Sequence, residues 1–185
     1  MKIYYDTEFL EDGRTIELIS IGMVAEDGRE LYAVNADMPF DRVVRHDWLY
    51  ENVVPSLPID PCPPGHRCSS QGRGHLDLHD PDVRSRAQIA RMVESFILAT
   101  PDVELWAYYG AYDHVALCQL WGRMIDLPNG VPMFTCDLMQ EVSRLGNPRL
   151  PEQAEGEHNA LADARHNRLI GEFLIVERRR QEVGR

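Results

Sequence analysis

The sequence predicts a mixed α/β layer fold, and three observations support this prediction. Residues 2–35 contain three strand-like segments joined by short turns, which favours an antiparallel meander. Apolar residues then recur at helical spacing, and strands alternate with helices to the end of the chain. With 185 residues, of which 44% are hydrophobic, the chain can bury a sizeable core. We expect a mixed sheet of about five strands, the first three antiparallel, flanked by helices.

The three early strands are predicted at residues 2–7, 16–25 and 30–35. The second is apolar on both faces, which is typical of a central strand. Asp27 and Gly28 form a hairpin-type turn between the second and third strands.

The middle of the chain contains a short helix and an irregular segment. Residues 47–54 are predicted to be helical, and Pro55 ends the helix. Residues 57–81 combine several Pro and Gly residues without periodicity, so we interpret them as an insertion loop. Candidate functional residues lie on both sides of this loop, which favours a single domain over residues 1–185.

The second half alternates helices with short strands. Apolar residues from 89 to 97 follow helical spacing. We predict a strand at 103–109, a helix at 111–121, a short strand at 133–136 with a helix to 144, and a long helix from 159 to about 178. The helix at 111–121 places three apolar residues on one side: Val115, Cys118 and Trp121. The residues of the last helix that we expect to face the core are Ala162, Leu169, Ile170, Phe173 and Leu174.

Charge and hydropathy limit the possible functions. The formal net charge is −11, from 19 Lys and Arg against 30 Asp and Glu, which argues against an extended nucleic-acid groove. An enzyme that holds only a strand end is compatible with this charge. No hydrophobic run is long enough for a membrane span, and the chain reaches Asp6 too early for a signal peptide. We therefore expect a cytoplasmic protein whose four cysteines need not form disulfides.

Acidic residues spread along the chain are the main functional signal. Asp6 and Glu8 alternate on the first strand, so their side chains share one face. Asp113 follows a strand and Gly110, and falls in the first turn of a helix, where an anion is favoured. Taken alone, each has an ordinary explanation as a solvated strand end or a helix-terminal charge. Gathered at one point they would repel each other, which indicates divalent metal ions between them.

A histidine and a further acid open the last helix. His158 and Asp163 are five residues apart, so on one helix they would face different ways. The spacing works better if His158 lies in the loop, Asn159 caps the helix and Asp163 occupies its first turns. A loop histidine beside a metal-binding carboxylate is suited to act as a general base. An exposed loop histidine without a role is the simpler alternative.

The order of these residues resembles a known superfamily. Asp-x-Glu on the first strand, Asp after a later strand and His-x-x-x-x-Asp opening a late helix are similar to the DEDDh 3′–5′ exonucleases. Within it, the segments 5–9, 16–22 and 104–117 resemble the actinobacterial ribonuclease AS family. That resemblance implies an RNase H-like fold, a polyadenylate-specific 3′-exoribonuclease acting on single-stranded RNA 3′ ends, and a homodimer.

The resemblance also implies roles for individual residues. Two Mg²⁺ or Mn²⁺ ions would be held by four carboxylates, and His158 would take the proton from the attacking water. The product would be nucleoside 5′-monophosphates. Thr7 and Phe9 would contact the terminal nucleotide, although Phe9 could equally be a core residue. The four expected metal ligands are Asp6, Glu8, Asp113 and Asp163.

Other functions remain possible from the sequence. A DNA exonuclease or proofreading subunit would use the same carboxylates, and an inactive nucleic-acid-binding module could share the fold. Cys62 and Cys68, with two nearby histidines (His75 and His79), could form a zinc site, although their spacing matches no common finger. For the aromatic residues around the 103–109 strand, core packing is favoured over a stacking platform. These aromatic residues are Trp106, Tyr108, Tyr109 and Tyr112.

Overall fold

A six-stranded mixed sheet forms the centre of the computed structural model, which describes residues 1–62, 70 and 72–183. The strands are β1 (Lys2–Glu11), β2 (Ile16–Ala25), β3 (Glu30–Asn35), β4 (Ile59–Asp60), β5 (His75–Leu76), β6 (Val83–Arg84), β7 (Glu104–Ala107) and β8 (Cys136–Asp137). The helices are α1 (Phe40–Val43), α2 (Asp47–Asn52), α3 (Arg86–Leu98), α4 (Ala111–Cys118), α5 (Leu138–Arg144) and α6 (Ala160–Val183). Single 3₁₀ turns cover Val54–Ser56, Gln119–Trp121 and Met124–Asp126.

The strand order in the main sheet is β6-β3-β2-β1-β7-β8. β2 runs antiparallel to both of its neighbours, whereas the β3–β6, β1–β7 and β7–β8 pairs are parallel. The predicted mixed sheet with three antiparallel strands at its start is therefore confirmed, with one strand more than expected. The bounds of β2 and β3 match the sequence prediction because both strands end at clear turn signals.

Each face of the sheet is covered by helices. Ile3 and Tyr5 of β1 point into the larger apolar cluster, which includes residues of α3 and α4. Tyr4 points to the opposite face and packs with Leu138 of α5 and Ile170 of α6. The alternation along β1 therefore assigns even-numbered residues from Tyr4 onward to the α6 face.

Two glycines let α6 lie unusually close to the sheet. A Cβ on Gly22 of β2 would lie 2.2 Å from the carbonyl oxygen of Ala160. A Cβ on Gly171 of α6 would lie 2.4 Å from the ring of Tyr4. Gly22 is also the cross-strand partner of Asp6. The first turn of α6 therefore rests on the sheet beside Asp6.

The buried face of α6 differs from the prediction. Leu169 was expected to face the core, but 48% of its surface is exposed. The buried residues recur at helical spacing and include small and polar side chains: Ala160, Ala164, Asn167, Ile170, Gly171 and Leu174. An apolar pattern cannot identify a face built from Ala, Gly and Asn, which explains the error at Leu169.

The side of α4 predicted from apolar spacing is only partly buried. Cys118 on that side is buried, but Val115 is exposed, and Ala116 and Leu117 are buried instead. The α-helix ends at Cys118 and continues as a 3₁₀ turn, so the predicted 111–121 helix does not keep one spacing. Two predicted strands are shifted as well: β7 ends at residue 107 instead of 109, and β8 begins at residue 136 instead of 133.

The irregular segment contains a small hairpin. β4 and β5 pair antiparallel, with Ile59 opposite Leu76, and Leu76 is buried in a second apolar cluster. The possible zinc site falls partly on Cys68, which lies outside the described residues. His75 is 3.8 Å from the carboxylate of Asp60. None of the helices among the described residues has the length and apolar character that a membrane crossing requires.

Replacing Gly22 with Ala should destabilise the protein by about 3 kcal/mol, because the new Cβ would overlap backbone atoms of α6 that cannot rotate away. Urea unfolding followed by circular dichroism measures this loss. Leu169→Ala on the exposed side of α6 is the control, with an expected change below about 1 kcal/mol. Equal effects of the two substitutions would contradict the close approach at Gly22.

Candidate active site

Asp6 and Glu8 occupy the end of β1 on the α6 face. The register of β1 with β7 covers residues 2–4, so the edge of β1 is free of strand pairing on that side beyond Tyr4. Glu8 is buried and Asp6 is half-buried. A register shift between Glu8 and Phe9 interrupts the pairing with β2 directly after the two acids. The extra residue, Ile19, belongs to β2, so the bulge lies on the strand that pairs with the two acids, a common arrangement beside functional sites.

Asp113 is hydrogen-bonded to the free edge of β1. The backbone N–H of Thr7 donates to Asp113 Oδ1 at 2.9 Å, and Thr7 Oγ1 donates to the same oxygen at 2.7 Å. Asp113 lies in the first turn of α4, as predicted, and is buried. Gly110 allows the tight entry to this helix, since a Cβ there would lie 2.7 Å from the Cβ of Ala107. Thr7 therefore fixes a carboxylate from a distant segment next to Asp6 and Glu8.

The start of α6 supplies His158 and Asp163. Asn159 Oδ1 accepts from the N–H of Ala162 at 3.1 Å, so Asn159 caps the helix and His158 stays in the loop, as predicted. The His158 N–H donates to Asp163 Oδ2 at 2.9 Å, and Gln153 Nε2 donates to Asp163 Oδ1 at 2.6 Å. Both oxygens of Asp163 are thereby oriented by the loop that precedes the helix.

His158 has a backbone φ of 64°, in the left-handed region that a non-glycine residue rarely adopts. Two groups from the segment after α1 hold it there. Ser56 Oγ donates to the His158 carbonyl at 3.0 Å, and the Trp48 ring meets the imidazole edge-on at a centroid distance of 4.8 Å. Trp48 and Ser56 had no sequence motif that pointed to this role, because only tertiary packing brings α2 beside α6.

One recess collects all five predicted residues. Its volume is about 460 Å³, within the range of natural ligand pockets. Its lining consists of Asp6, Thr7, Glu8, Phe9, Trp48, Tyr108, Tyr109, Tyr112, Asp113, His158 and Asp163. A second recess of about 440 Å³ shares Asp6, His158 and Asp163 and extends toward Gln153 and Glu157. Asp6 and Asp163 therefore lie where two open spaces meet.

The electrostatics of the recess reflect four neighbouring acids. Burial raises the pKa of Asp6 well above its usual range, and the charges of Asp113, Glu8 and Asp163 raise it further. Burial, followed by the charges of Asp163 and Asp113, raises the pKa of Glu8 to about 8. The mutual effects indicate that the four carboxylates are close enough to repel one another.

The other two acids are partly compensated by hydrogen bonds. Burial raises the pKa of Asp113 to about 6, and the two hydrogen bonds from Thr7 oppose this rise. Burial also raises the pKa of Asp163, against the hydrogen bonds from Gln153 and from the His158 backbone. Asp6 and Glu8 accept no hydrogen bond from any described residue, so the cost of burying their charges is the least compensated of the four.

The donor set suits a divalent ion. Glu8, His158 and Asp163 each offer one ligand atom, and these atoms lie within 4.8 Å of one another. Among the described residues, neither recess is lined by Lys or Arg. Oxygen-rich sites of this kind favour Mg²⁺ or Mn²⁺ over softer metals.

The aromatic residues beside the site differ from expectation. Core packing was predicted for Tyr109 and Tyr112, but 63% and 54% of their surfaces are exposed, and both line the main recess. The prediction was wrong because β7 ends at Ala107, so the chain has left the sheet before Tyr109. Trp106 and Tyr108 are partly buried against the α5–α6 cluster, in agreement with the prediction.

Comparison with known proteins identifies the family. The family model described as the 3′-5′ exoribonuclease Rv2179c-like domain matches residues 67–175. The 3′-5′ exoribonucleases Rv2179c and MT2234.1 of Mycobacterium tuberculosis, from strains H37Rv and CDC 1551, are each 48% identical over 167 residues, 89% of this chain and 88% of each relative. The Mg²⁺ and Mn²⁺ bound form of Pop2p from S. pombe is 14% identical and aligns over 95% of this chain and 82% of its own, with a TM-score of 0.45. The chain belongs to the Rv2179c-like 3′-5′ exoribonuclease family.

Proposed function

We propose that this protein is a metal-dependent 3′–5′ exoribonuclease that releases nucleoside 5′-monophosphates one at a time from RNA 3′ ends. The observation that carries the proposal is the convergence of four carboxylates and His158 on one recess, in a chain of an exoribonuclease family. These residues come from the first strand, the helix after β7 and the start of the last helix. Residues 1–185 would act together as one exonuclease domain.

Four residues would hold the metal: Asp6, Glu8, Asp113 and Asp163. They fit this role because they are buried or half-buried acids without a Lys or Arg partner among the described residues. When bound, two Mg²⁺ or Mn²⁺ ions would neutralise phosphate charge and stabilise the attacking and leaving oxygens. Thr7 and Gln153 contribute by fixing Asp113 and Asp163 in place before any ligand arrives.

His158 would accept the proton from the attacking water. Its imidazole lies beside Glu8 and Asp163 at the recess, and its backbone is held from both sides by Ser56 and Asp163. Imidazole is the side chain that most often carries out general acid–base proton transfer. The terminal nucleotide would contact Thr7 and Phe9, which line the same recess.

Three further properties form part of the proposal. Adenylate-rich tails are the proposed substrate because the motifs around Asp6 and Asp113 resemble the ribonuclease AS family. The same resemblance supports a homodimer, which sedimentation at several protein concentrations tests. We also propose a cytoplasmic location for the enzyme.

Asp6→Asn should reduce nucleotide release by more than about 100-fold, since a direct metal ligand matters at least as much as its supporting groups. Without metal, the variant should melt above the parent, by about 2–4 °C for each kcal/mol of repulsion relieved. The Mg²⁺-induced rise in melting temperature should disappear. Thermal melting with and without Mg²⁺ measures both effects. A fully active Asp6→Asn variant would refute the proposed metal site.

His158→Asn should lower kcat by about 10²- to 10⁴-fold, the usual contribution of a general base. Asn is chosen because it tolerates the positive φ at this position better than Ala does. The Mg²⁺-induced rise in melting temperature should persist, because the carboxylates remain. Loss of that rise would instead make His158 a metal ligand, contrary to the proposed role.

Digestion of matched oligonucleotides tests the substrate. We expect mass spectrometry to detect AMP released from 3′-tailed oligo(A). Release of UMP from oligo(U) should be slower, and release of dAMP from oligo(dA) should be the slowest. The Asp6→Asn variant under the same Mn²⁺ conditions is the control for contaminating nuclease. Equal rates on oligo(A) and oligo(dA) would indicate a general exonuclease rather than an RNA enzyme.

A further inference from the structure

We infer that Tyr109 and Tyr112 form an aromatic shelf that stacks on unpaired bases near the RNA 3′ end, and that stacking, rather than pairing of phosphates with Lys and Arg, supplies most of the hold on substrate. The inference rests on the proposed function and extends it to the mode of substrate binding. It arises from exposure, backbone strain and charge around the recess.

Tyr112 is presented to the recess in a fixed orientation. It precedes Asp113 in the first turn of α4, so the Thr7 hydrogen bonds that fix Asp113 also fix its position. Its ring lies nearly parallel to that of Phe9, with centroids 6.0 Å apart and planes at 13°. More than half of its surface remains exposed. An aromatic ring held this way is suited to stack on a base, with little side-chain entropy left to lose.

The Tyr109 side chain is exposed, and its backbone adopts an unfavourable conformation. Its φ is 54°, a conformation that favours glycine and is rare for a large side chain. The ring contacts Tyr108 edge-on at a centroid distance of 4.9 Å and is otherwise largely exposed. Strained residues of this kind concentrate at functional sites. Fold stability alone would favour Gly at this turn, so the aromatic ring indicates a role in binding.

Among the described residues that line the two recesses, no Lys or Arg side chain could pair with RNA phosphates. Both recesses instead contain acidic side chains. These acids are Asp6, Glu8, Asp113, Glu152, Glu157 and Asp163. A chain with a net charge of −11 would repel the RNA backbone away from the metal. Apart from the proposed metal site, these recesses therefore offer RNA contacts that do not depend on phosphate charge.

Stacking is a contact of this kind and defines a substrate class. One stacked base contributes roughly 5- to 150-fold in affinity, whatever its identity, because every base has an aromatic face. A base must be unpaired to reach the shelf, so duplex ends should resist the enzyme. Purines offer a larger stacking surface than pyrimidines, so the shelf favours purines without distinguishing adenine from guanine.

The first test compares Tyr112→Ala with Tyr112→Phe on a 3′-tailed oligo(A) in Mg²⁺. The Ala variant should raise KM about 10-fold with kcat within about 3-fold of the parent, whereas Phe should keep the parent KM because stacking needs no hydroxyl. Val115→Ala, an exposed change on the same helix outside the recess, is the control. An unchanged KM in Tyr112→Ala, with the parent active, would overturn the inference but leave the proposed function intact.

The second test uses the strain at Tyr109. Tyr109→Gly should melt at or above the parent temperature because it relieves the positive φ, yet it should raise KM about 10-fold. A structural role would lower the melting temperature and leave KM unchanged. That result would remove Tyr109 from the shelf.

Salt dependence supplies the third test. Between 50 and 200 mM NaCl at constant Mg²⁺, KM should rise less than about 3-fold, the change expected for one neutralised phosphate. A rise of about 50-fold, equivalent to four phosphate contacts, would show a hold on the backbone and overturn the inference. Absence of nucleotide release by the parent enzyme under every condition would instead refute the proposed function.

Discussion

Repulsion among four carboxylates is the interaction on which the rest of this structure depends. Asp6, Glu8, Asp113 and Asp163 come from three segments that are far apart in sequence, and each raises the free energy of the fold when it is buried beside the others. An apolar core does not assemble such a group by itself. The surrounding structure must hold the acids together by interactions that are stronger than the repulsion.

The scaffold meets this demand with directional contacts. Thr7 donates two hydrogen bonds to Asp113, and the loop before α6 donates two to Asp163. Asp6 and Glu8 are instead fixed by the β1 backbone, which pairs on one side with β2, and β2 bulges at Ile19 opposite the end of this acidic pair. Two acids are therefore compensated by hydrogen bonds within the protein, and the other two accept none from the described residues. The four carboxylates are therefore held in position by the protein, but the negative charge of Asp6 and Glu8 is not compensated by it.

The sequence was sufficient to predict the elements with strong local signals. β2 and β3 have the predicted bounds, and the loop position of His158 with Asn159 as the cap followed from the spacing to Asp163. What depends on tertiary packing was not predictable in the same way. Trp48 reaches His158 only because α2 folds beside α6, and the exposure of Tyr112 depends on where β7 stops. Leu169 was assigned to the core because small residues, which carry no apolar signal, form the buried face of α6.

The contact between Gly22 and the first turn of α6 has a consequence for the timing of biosynthesis. Asp6 is synthesised long before Asp163 and before the helix that docks against Gly22. Domains generally fold from their amino-terminal end as synthesis proceeds, so a growing chain at first carries only some of the four carboxylates. The site therefore cannot form until the helix that carries Asp163 has been synthesised and has docked against Gly22.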